Sequence, residues 1–217
     1  MIKKYEYLIF IDTEFVSSKD GNQPFQVGML SYHLNNSKMV KLNEFNAYIR
    51  LRKGIRLNKY AKLATGIDEE TLNKFGLYAH EASLQIIDFV LNYDLEKTLI
   101  VGWDPINDKT MIHYLLNYNE NLVNVESCDW LDLVGAYAKV QGLPIHQTPS
   151  LVSACEAYDI KDLKFHDAYD DAYATALLCS KLIEIYGEKE IIYDKTREIK
   201  KINEPKKKKY VKVRSSN

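Results

Sequence analysis

The chain opens on a run of apolar and aromatic residues, Tyr5 to Phe15, in which Tyr-Leu-Ile-Phe-Ile leads straight into Asp12. Apolar on both faces and rich in β-branched and aromatic side chains, this run predicts a buried strand. Phe25 to Leu34 and Val40 to Leu51 read as two more strands, and the polar turn Asn35-Asn36-Ser37 between them predicts an antiparallel hairpin. After Gly54 the period changes. Short helical segments are expected at Lys59 to Leu63 and Glu69 to Lys74, and a stronger one at Glu81 to Asn92, carrying Leu84, Ile87, Phe89, Val90 and Leu91. A short apolar strand, Thr98 to Trp103, precedes Asp104-Pro105, which reads as an N-cap with proline at the first helical position. That helix runs on through Met111, Ile112, Leu115 and Leu116. Beyond it the pattern predicts a strand near Val125 to Cys128, then a helix from Leu131 to Gln141 stopped by Gly142 and Pro144. Two more helices follow, Leu151 to Tyr158 and Ala168 to Tyr186. The second bears a small-residue stripe, Ala172, Thr175, Ala176 and Cys179, suited to close approach to a sheet, and Gly187 would end it. A mixed sheet that starts with a hairpin and ends in helices is an α/β sandwich.

Composition narrows the class without changing that picture. With 217 residues, 46% hydrophobic and 27% charged, and a mean hydropathy of -0.32, the chain has the balance of one soluble domain plus a tail. No apolar run approaches the roughly 20 residues of a membrane helix, so no membrane partner is expected. Lys3 and Lys4 precede an apolar stretch, but it ends at Asp12 without a small-residue cleavage site and reads as a strand. The cysteines, Cys128, Cys155 and Cys179, show neither CxxC spacing nor a disulfide framework, which suits a reducing compartment and a cytoplasmic location. Charge is uneven. From Lys195 to Asn217 the net is +8, leaving -9 for residues 1 to 194. We therefore expect a folded domain over residues 1–190 and a basic, disordered tail over 191–217. Its Lys206 to Lys209 run could tether a phosphate backbone without sequence preference.

The candidate chemistry is acidic. Asp12 and Glu14 lie at the carboxyl end of the first strand, and a side-chain period of two sets both carboxylates on one face, about 7 Å apart. An isolated pair of this kind often marks only the point where a strand reaches solvent. If desolvated, the two need a cation between them or must take up protons. The second half of the chain strengthens the cation reading. In His166-Asp167-Ala168-Tyr169-Asp170-Asp171-Ala172, Asp171 falls on the helix in line with Thr175 and Leu178, and His166 falls in the loop before it. The carboxylate would hold a metal and the imidazole would accept a proton from water. Asp167 and Asp170 are accounted for by the positive end of the helix dipole.

Together these motifs resemble the DEDDh group of 3'-to-5' exonucleases, a ribonuclease H-like family that includes polymerase proofreading subunits, ribonuclease T and oligoribonuclease. The first motif is similar to Ile11-Asp12-Thr13-Glu14-Phe15, and the last, H-x-A-x-x-D-A, to His166, Ala168, Asp171 and Ala172. The middle motif is similar to Val101-Gly102-Trp103-Asp104-Pro105-Ile106-Asn107-Asp108, with Asp108 in the ligand role and Asp104, one helical turn away, as its competitor. Ala64-Thr65-Gly66-Ile67 looks like the segment that lies beside the 3'-terminal nucleotide. The resemblance spans residues 5 to 187, and motifs in this order and spacing are far more specific than any one alone.

It implies a ribonuclease H-like mixed sheet flanked by helices, and catalytic residues Asp12, Glu14, Asp108, His166 and Asp171. The four carboxylates would bind two Mg2+ or Mn2+ ions, and His166 would take the proton from the attacking water. The substrate would be a single-stranded RNA or DNA 3' end, contacted by Thr13, Phe15, Thr65, Gly66 and Trp103, with Tyr169 a further stacking candidate. The product would be a nucleoside 5'-monophosphate. A polymerase or a second copy of the chain is a possible partner. Phe15 stands where many relatives have threonine, and Trp103-Asp104 replaces a common His-Asn pair, which leaves the choice between RNA and DNA open. The remaining histidines, His33, His80, His113 and His146, have no ligand-spaced partner and read as ordinary surface or core residues. A polymerase-associated or nucleic-acid-binding module that has lost turnover is the alternative, and the intact catalytic positions argue against it.

Overall fold

The computed structural model describes residues 5–19, 21–119, 128–144 and 147–193. The first apolar run becomes β1 (Tyr7–Ser18), followed by β2 (Gly21–Asn35) and β3 (Lys38–Tyr48). Three helices come next, α1 (Lys59–Thr65), α2 (Glu69–Phe75) and α3 (Ala79–Leu91). Then come β4 (Thr98–Gly102), α4 (Ile106–Leu116), β5 (Asp129–Asp132), α5 (Leu133–Val140), α6 (Leu151–Ala157), α7 (Ala168–Tyr186) and α8 (Glu188–Ile192). The sheet order is β3-β2-β1-β4-β5. β2 is antiparallel to both its neighbours, while β4 and β5 run parallel to β1. This is the mixed α/β sheet expected from the sequence.

Both faces of the sheet are buried, which is why β1 reads as a continuous apolar run rather than an alternating one. Leu8 and Phe10 point into a core built with α5, α6 and α7, through Leu133, Tyr137, Ala154, Ala172 and Leu178. Ile9 and Ile11 point the other way, into Ala82, Ile86, Val90, Ile112 and Leu115 of α3 and α4. A third cluster caps the carboxyl end of β1, where Val16 meets Phe25, Leu57, Ile67 and Leu72. β1 pairs with β4 only from Tyr7↔Thr98 to Phe10↔Val101, whereas it keeps β2 alongside as far as Ser18. Past Phe10 one side of β1 is therefore open, at the carboxyl end of parallel strands, where crevices of α/β sheets form.

Three local expectations are corrected. The strand predicted near Val125 to Cys128 falls mostly outside the described residues, and the strand that pairs with β4 is β5, at Asp129–Asp132. Leu131 thus belongs to a strand, and Asp132, whose carboxylate accepts from Gly135 N–H, resets the helix start to Leu133. Asp104 is not an N-cap. It turns the chain with a left-handed φ of 56°, Pro105 takes the cap position, and no side-chain cap bond forms. At the end of the described chain Ile191 and Ile192 are buried in the main core and Tyr193 stacks on Tyr5 at 5.6 Å. The rest of the basic tail lies outside the described residues.

One glycine sets the layer spacing. A Cβ on Gly28 would lie 2.3 Å from the Ala168 carbonyl oxygen and 2.4 Å from Tyr169 Cα, so the start of α7 rests directly on β2. Both obstacles are backbone and cannot swing aside. Gly28→Ala is predicted to lower stability by about 3 kcal/mol, the upper end of overpacking costs, measured as a drop in urea midpoint at unchanged m-value.

Candidate active site

The open end of β1 carries Asp12 and Glu14. By register Asp12 lies opposite Gly28 and Glu14 opposite Gln26, so both side chains share the α7 face with Leu8 and Phe10. Thr13 points to the other face and donates its hydroxyl to Asp108 Oδ1 at 2.7 Å. Asp108 stands in the first turn of α4, 5% exposed, and Asp104, its rival by sequence, is exposed on the preceding turn.

α7 brings in the last carboxylate. Asp167 caps the helix, accepting from Tyr169 N–H at 3.1 Å and Asp170 N–H at 3.4 Å, and Asp171 follows within the first turn. Asp171 Oδ2 accepts the main-chain N–H of His166 at 3.1 Å, which ties the loop to the helix and holds His166 at a left-handed φ of 65°. Asp171 Oδ1 is buried and has no hydrogen-bond partner. Glu14, His166 and Asp171 each offer a ligand atom within 4.8 Å of the others. An orphaned buried carboxylate oxygen beside a second carboxylate and an imidazole fits a divalent cation.

The electrostatics carry the same message. Burial raises the Asp12 carboxyl well above its ordinary range, with added repulsion from Asp108, Asp171, Glu14 and Asp167. Burial and the Asp171 charge push Glu14 up to about 7, although His166 opposes the shift. Burial takes Asp108 to about 7 against the Thr13 hydrogen bond, and Asp171 to about 6 against the His166 N–H. Without a counter-charge these groups hold protons.

Two positioning residues escaped the sequence reading. Gln26 is fully buried, accepts the Ala168 N–H with Oε1 at 3.3 Å and donates to Asn46 Oδ1 at 3.2 Å, so it satisfies a helix N–H that would otherwise be orphaned. Gly28 is the other. A polar residue and a glycine inside the apolar run of β2 were the available signal. Tyr169 is tied down as well, its hydroxyl donating to Glu44 at 2.5 Å.

The other residues expected to touch substrate are variously placed. The Thr13 hydroxyl is committed to Asp108. The Thr65 hydroxyl donates to Ala61 O and accepts from Ile67 N–H, closing the end of α1, and Gly66 beside it is exposed with open space at its α-carbon. Phe15 is half-buried just past a register shift in β1, and Trp103 is half-buried, edge-on to Tyr137 at 5.7 Å.

The family model for exonucleases of the RNase T type matches residues 9–179. The chain belongs to this exonuclease family. Solved structures carry the same fold. A 3'-exonuclease in a structure describing 3'-end-specific recognition of a histone mRNA stem-loop superposes with a TM-score of 0.69 at 14% identity, covering 83% of each chain. The nuclease domain of 3'hExo, a DEDDh family member bound to rAMP, gives 0.67 at 15% identity over 83% of this chain and 92% of that one. The zinc-bound complex of E. coli exonuclease I with single-stranded DNA gives 0.72 at 17% identity over 87% of this chain and 42% of that one. No curated protein sequence matches the chain. Among the described residues of this exonuclease, no helix is long and apolar enough to cross a membrane.

A pH dependence follows for the metal-free protein. Glu14, Asp108 and Asp171 bind protons more tightly folded than unfolded, so this stabilisation is complete below about pH 4. It is lost as pH rises through the folded values of about 6 and 7. The denaturation midpoint in chelator should fall from about pH 5 to pH 7.5, and Mn2+ should restore it at the higher pH. A midpoint insensitive to both would contradict the electrostatic reading.

Proposed function

We propose that this family member is a metal-dependent 3'-to-5' exonuclease that hydrolyses single-stranded RNA or DNA ends to nucleoside 5'-monophosphates. The observation that carries the reading is the convergence of Asp12, Glu14, Asp108 and Asp171 from three separate elements, with one Asp171 oxygen buried and unsatisfied. The carboxylates would hold two Mg2+ or Mn2+ ions, which oxygen donors favour over softer metals and which would supply Lewis-acid activation and neutralise charge on the scissile phosphate.

The chain's own residues account for the other steps. His166 is exposed on its loop, and its ring has no hydrogen-bond partner among the described residues, so it is free to take the proton from the attacking water. Thr13 fixes the Asp108 carboxylate from behind. Gln26 and Gly28 hold the first turn of α7 against β2, which keeps Asp171 in reach of Glu14. Gly66, Phe15 and Trp103 are the substrate contacts we retain, Gly66 for close backbone approach and the two rings for the terminal bases. The rAMP and single-stranded DNA bound by structural neighbours support a single-strand end of either sugar type.

The test is a time course on a 5'-labelled single strand of RNA and of DNA, in Mg2+ and in Mn2+. The expected result is a ladder shortening from the 3' end, abolished in Asp171→Ala and in Asp108→Ala. His166→Ala should cost about 10²–10⁴-fold in rate. A His166→Ala rate equal to that of the wild type would remove His166 from that role. Intact strands in every lane would point instead to a binding module of the same fold.

A further inference from the structure

The acidic centre is a poor place for a polyanion to land. Residues 1–194 carry a net charge of -9, which repels phosphates at long range, so attraction for the strand must come from particular places on the molecule. In the folded body, which carries an acidic excess, residues 50–62 break the pattern: Arg50, Arg52, Lys53, Arg56, Lys59 and Lys62 occur there with no acid among them. The segment runs from the loop after β3 into the first turn of α1. We propose that this cationic face is a second contact surface for the substrate, holding phosphates and a base of the single strand on the 5' side of the reacting end. The proposal rests on the exonuclease reading above.

The loop is built rather than slack. Gln23, fully buried in β2, donates from Nε2 to Arg50 O at 3.4 Å and accepts the Arg52 N–H with Oε1 at 3.3 Å. Leu57 is buried with Ile67 and Leu72, and Asn58 caps α1 by accepting the Ala61 N–H at 2.8 Å. Between the loop and α2 lies an open hollow of about 550 Å³, with Arg52, Lys53, Arg56 and Lys62 on its rim. Glu69, the acid in its lining, is already engaged by Lys62 and by the Leu57 N–H. Lys53, Arg56 and Lys59 are exposed and have no carboxylate partner among the described residues. Positive charge held in place without a counter-ion in the fold suits phosphates, whose neutralisation releases counterions.

The face also offers stacking. Tyr60 on α1 is 83% exposed, and Leu63 beside it is 73% exposed. An aromatic ring among cations is the arrangement by which proteins grip single strands without reading sequence. An acidic polypeptide would satisfy the cations but leave Tyr60 without a role. Position agrees as well. Val16, two residues past Glu14 on β1, packs with Leu57, Ile67 and Leu72, so this face stands at the same end of the sheet as the carboxylates.

The experiment compares the full chain with Lys53→Ala/Arg56→Ala/Lys59→Ala and with Tyr60→Ala, so that the Lys-rich C-terminal segment is common to all. Binding of labelled oligo(U) of 3 and 15 nucleotides is followed by fluorescence anisotropy in chelator across a salt series, and hydrolysis is followed in Mn2+. For the 15-mer, the triple variant should lose about tenfold in affinity at low salt, and its slope of log K against log salt should flatten by about 2, as removal of three single-strand phosphate contacts requires. KM should rise in step with kcat unchanged, and the 3-mer should be unaffected. Tyr60→Ala should weaken the 15-mer about 5- to 100-fold. Unaltered affinity and slope would overturn the proposal, as would an equal loss on the 3-mer. Displacement of the 15-mer by poly-glutamate as effective as that by unlabelled poly(U) would overturn the assignment to a nucleic-acid strand. A wild type that binds but cleaves nothing would refute the exonuclease reading alone, since the variant's loss of binding would still report on the surface.

Discussion

Mutual repulsion among carboxylates is the constraint around which this domain is arranged. Asp12, Glu14, Asp108 and Asp171 are drawn from β1, α4 and α7 into one desolvated place, and each is pushed toward its protonated form by burial. No fold gains stability from such a grouping by itself. The cost is borne by the packing on both faces of β1, where Leu8, Phe10, Ile9 and Ile11 are each essentially inaccessible. On the proposed function the grouping is useful, because preassembled oxygen donors need no rearrangement when a cation and a phosphodiester arrive.

The scaffold solves a positional problem in two steps. The loss of β4 beyond Phe10 opens one side of β1, and α4 delivers Asp108 there with Thr13 bonded to it. On the opposite face, α7 can come close only because Gly28 has no side chain, and it is pinned in azimuth because Gln26 takes up the Ala168 N–H. Asp171 then sits where its Oδ2 holds the His166 loop and its Oδ1 is left for a ligand. On the proposed reading, the acidic centre and the cationic β3–α1 face are complementary: the first serves the chemistry and the second the approach of a polyanion.

Much of this was legible in the chain because its signals are local. The unbroken apolar run fixed β1, the Asn-Asn-Ser turn predicted the hairpin, and the DxE and H-x-A-x-x-D spacings pointed to the residues that the fold gathers. What was missed depends on partners distant in sequence. Gln26 and Ala168 are 142 positions apart, and nothing near Gln26 announces a helix end. The last two residues of β5, Leu131 and Asp132, were read as the start of a helix because the strand is only four residues long and begins and ends on an acid, which hides its β character. Asp104-Pro105 carries the ordinary signature of a helix start, yet the chain leaves Gly102 so tightly, with Pro105 against it, that Asp104 is forced left-handed and the cap moves on by one. The Thr65 hydroxyl, expected from its motif to touch substrate, donates to Ala61 O and closes α1, a bond its motif does not announce.

The most direct test is an anomalous difference map from crystals grown with Mn2+. The account predicts peaks bounded by Asp12, Glu14, Asp108 and Asp171, with density reaching the Asp171 oxygen that has no protein partner. A map with no peak among those four residues, at Mn2+ concentrations that support hydrolysis, would contradict it.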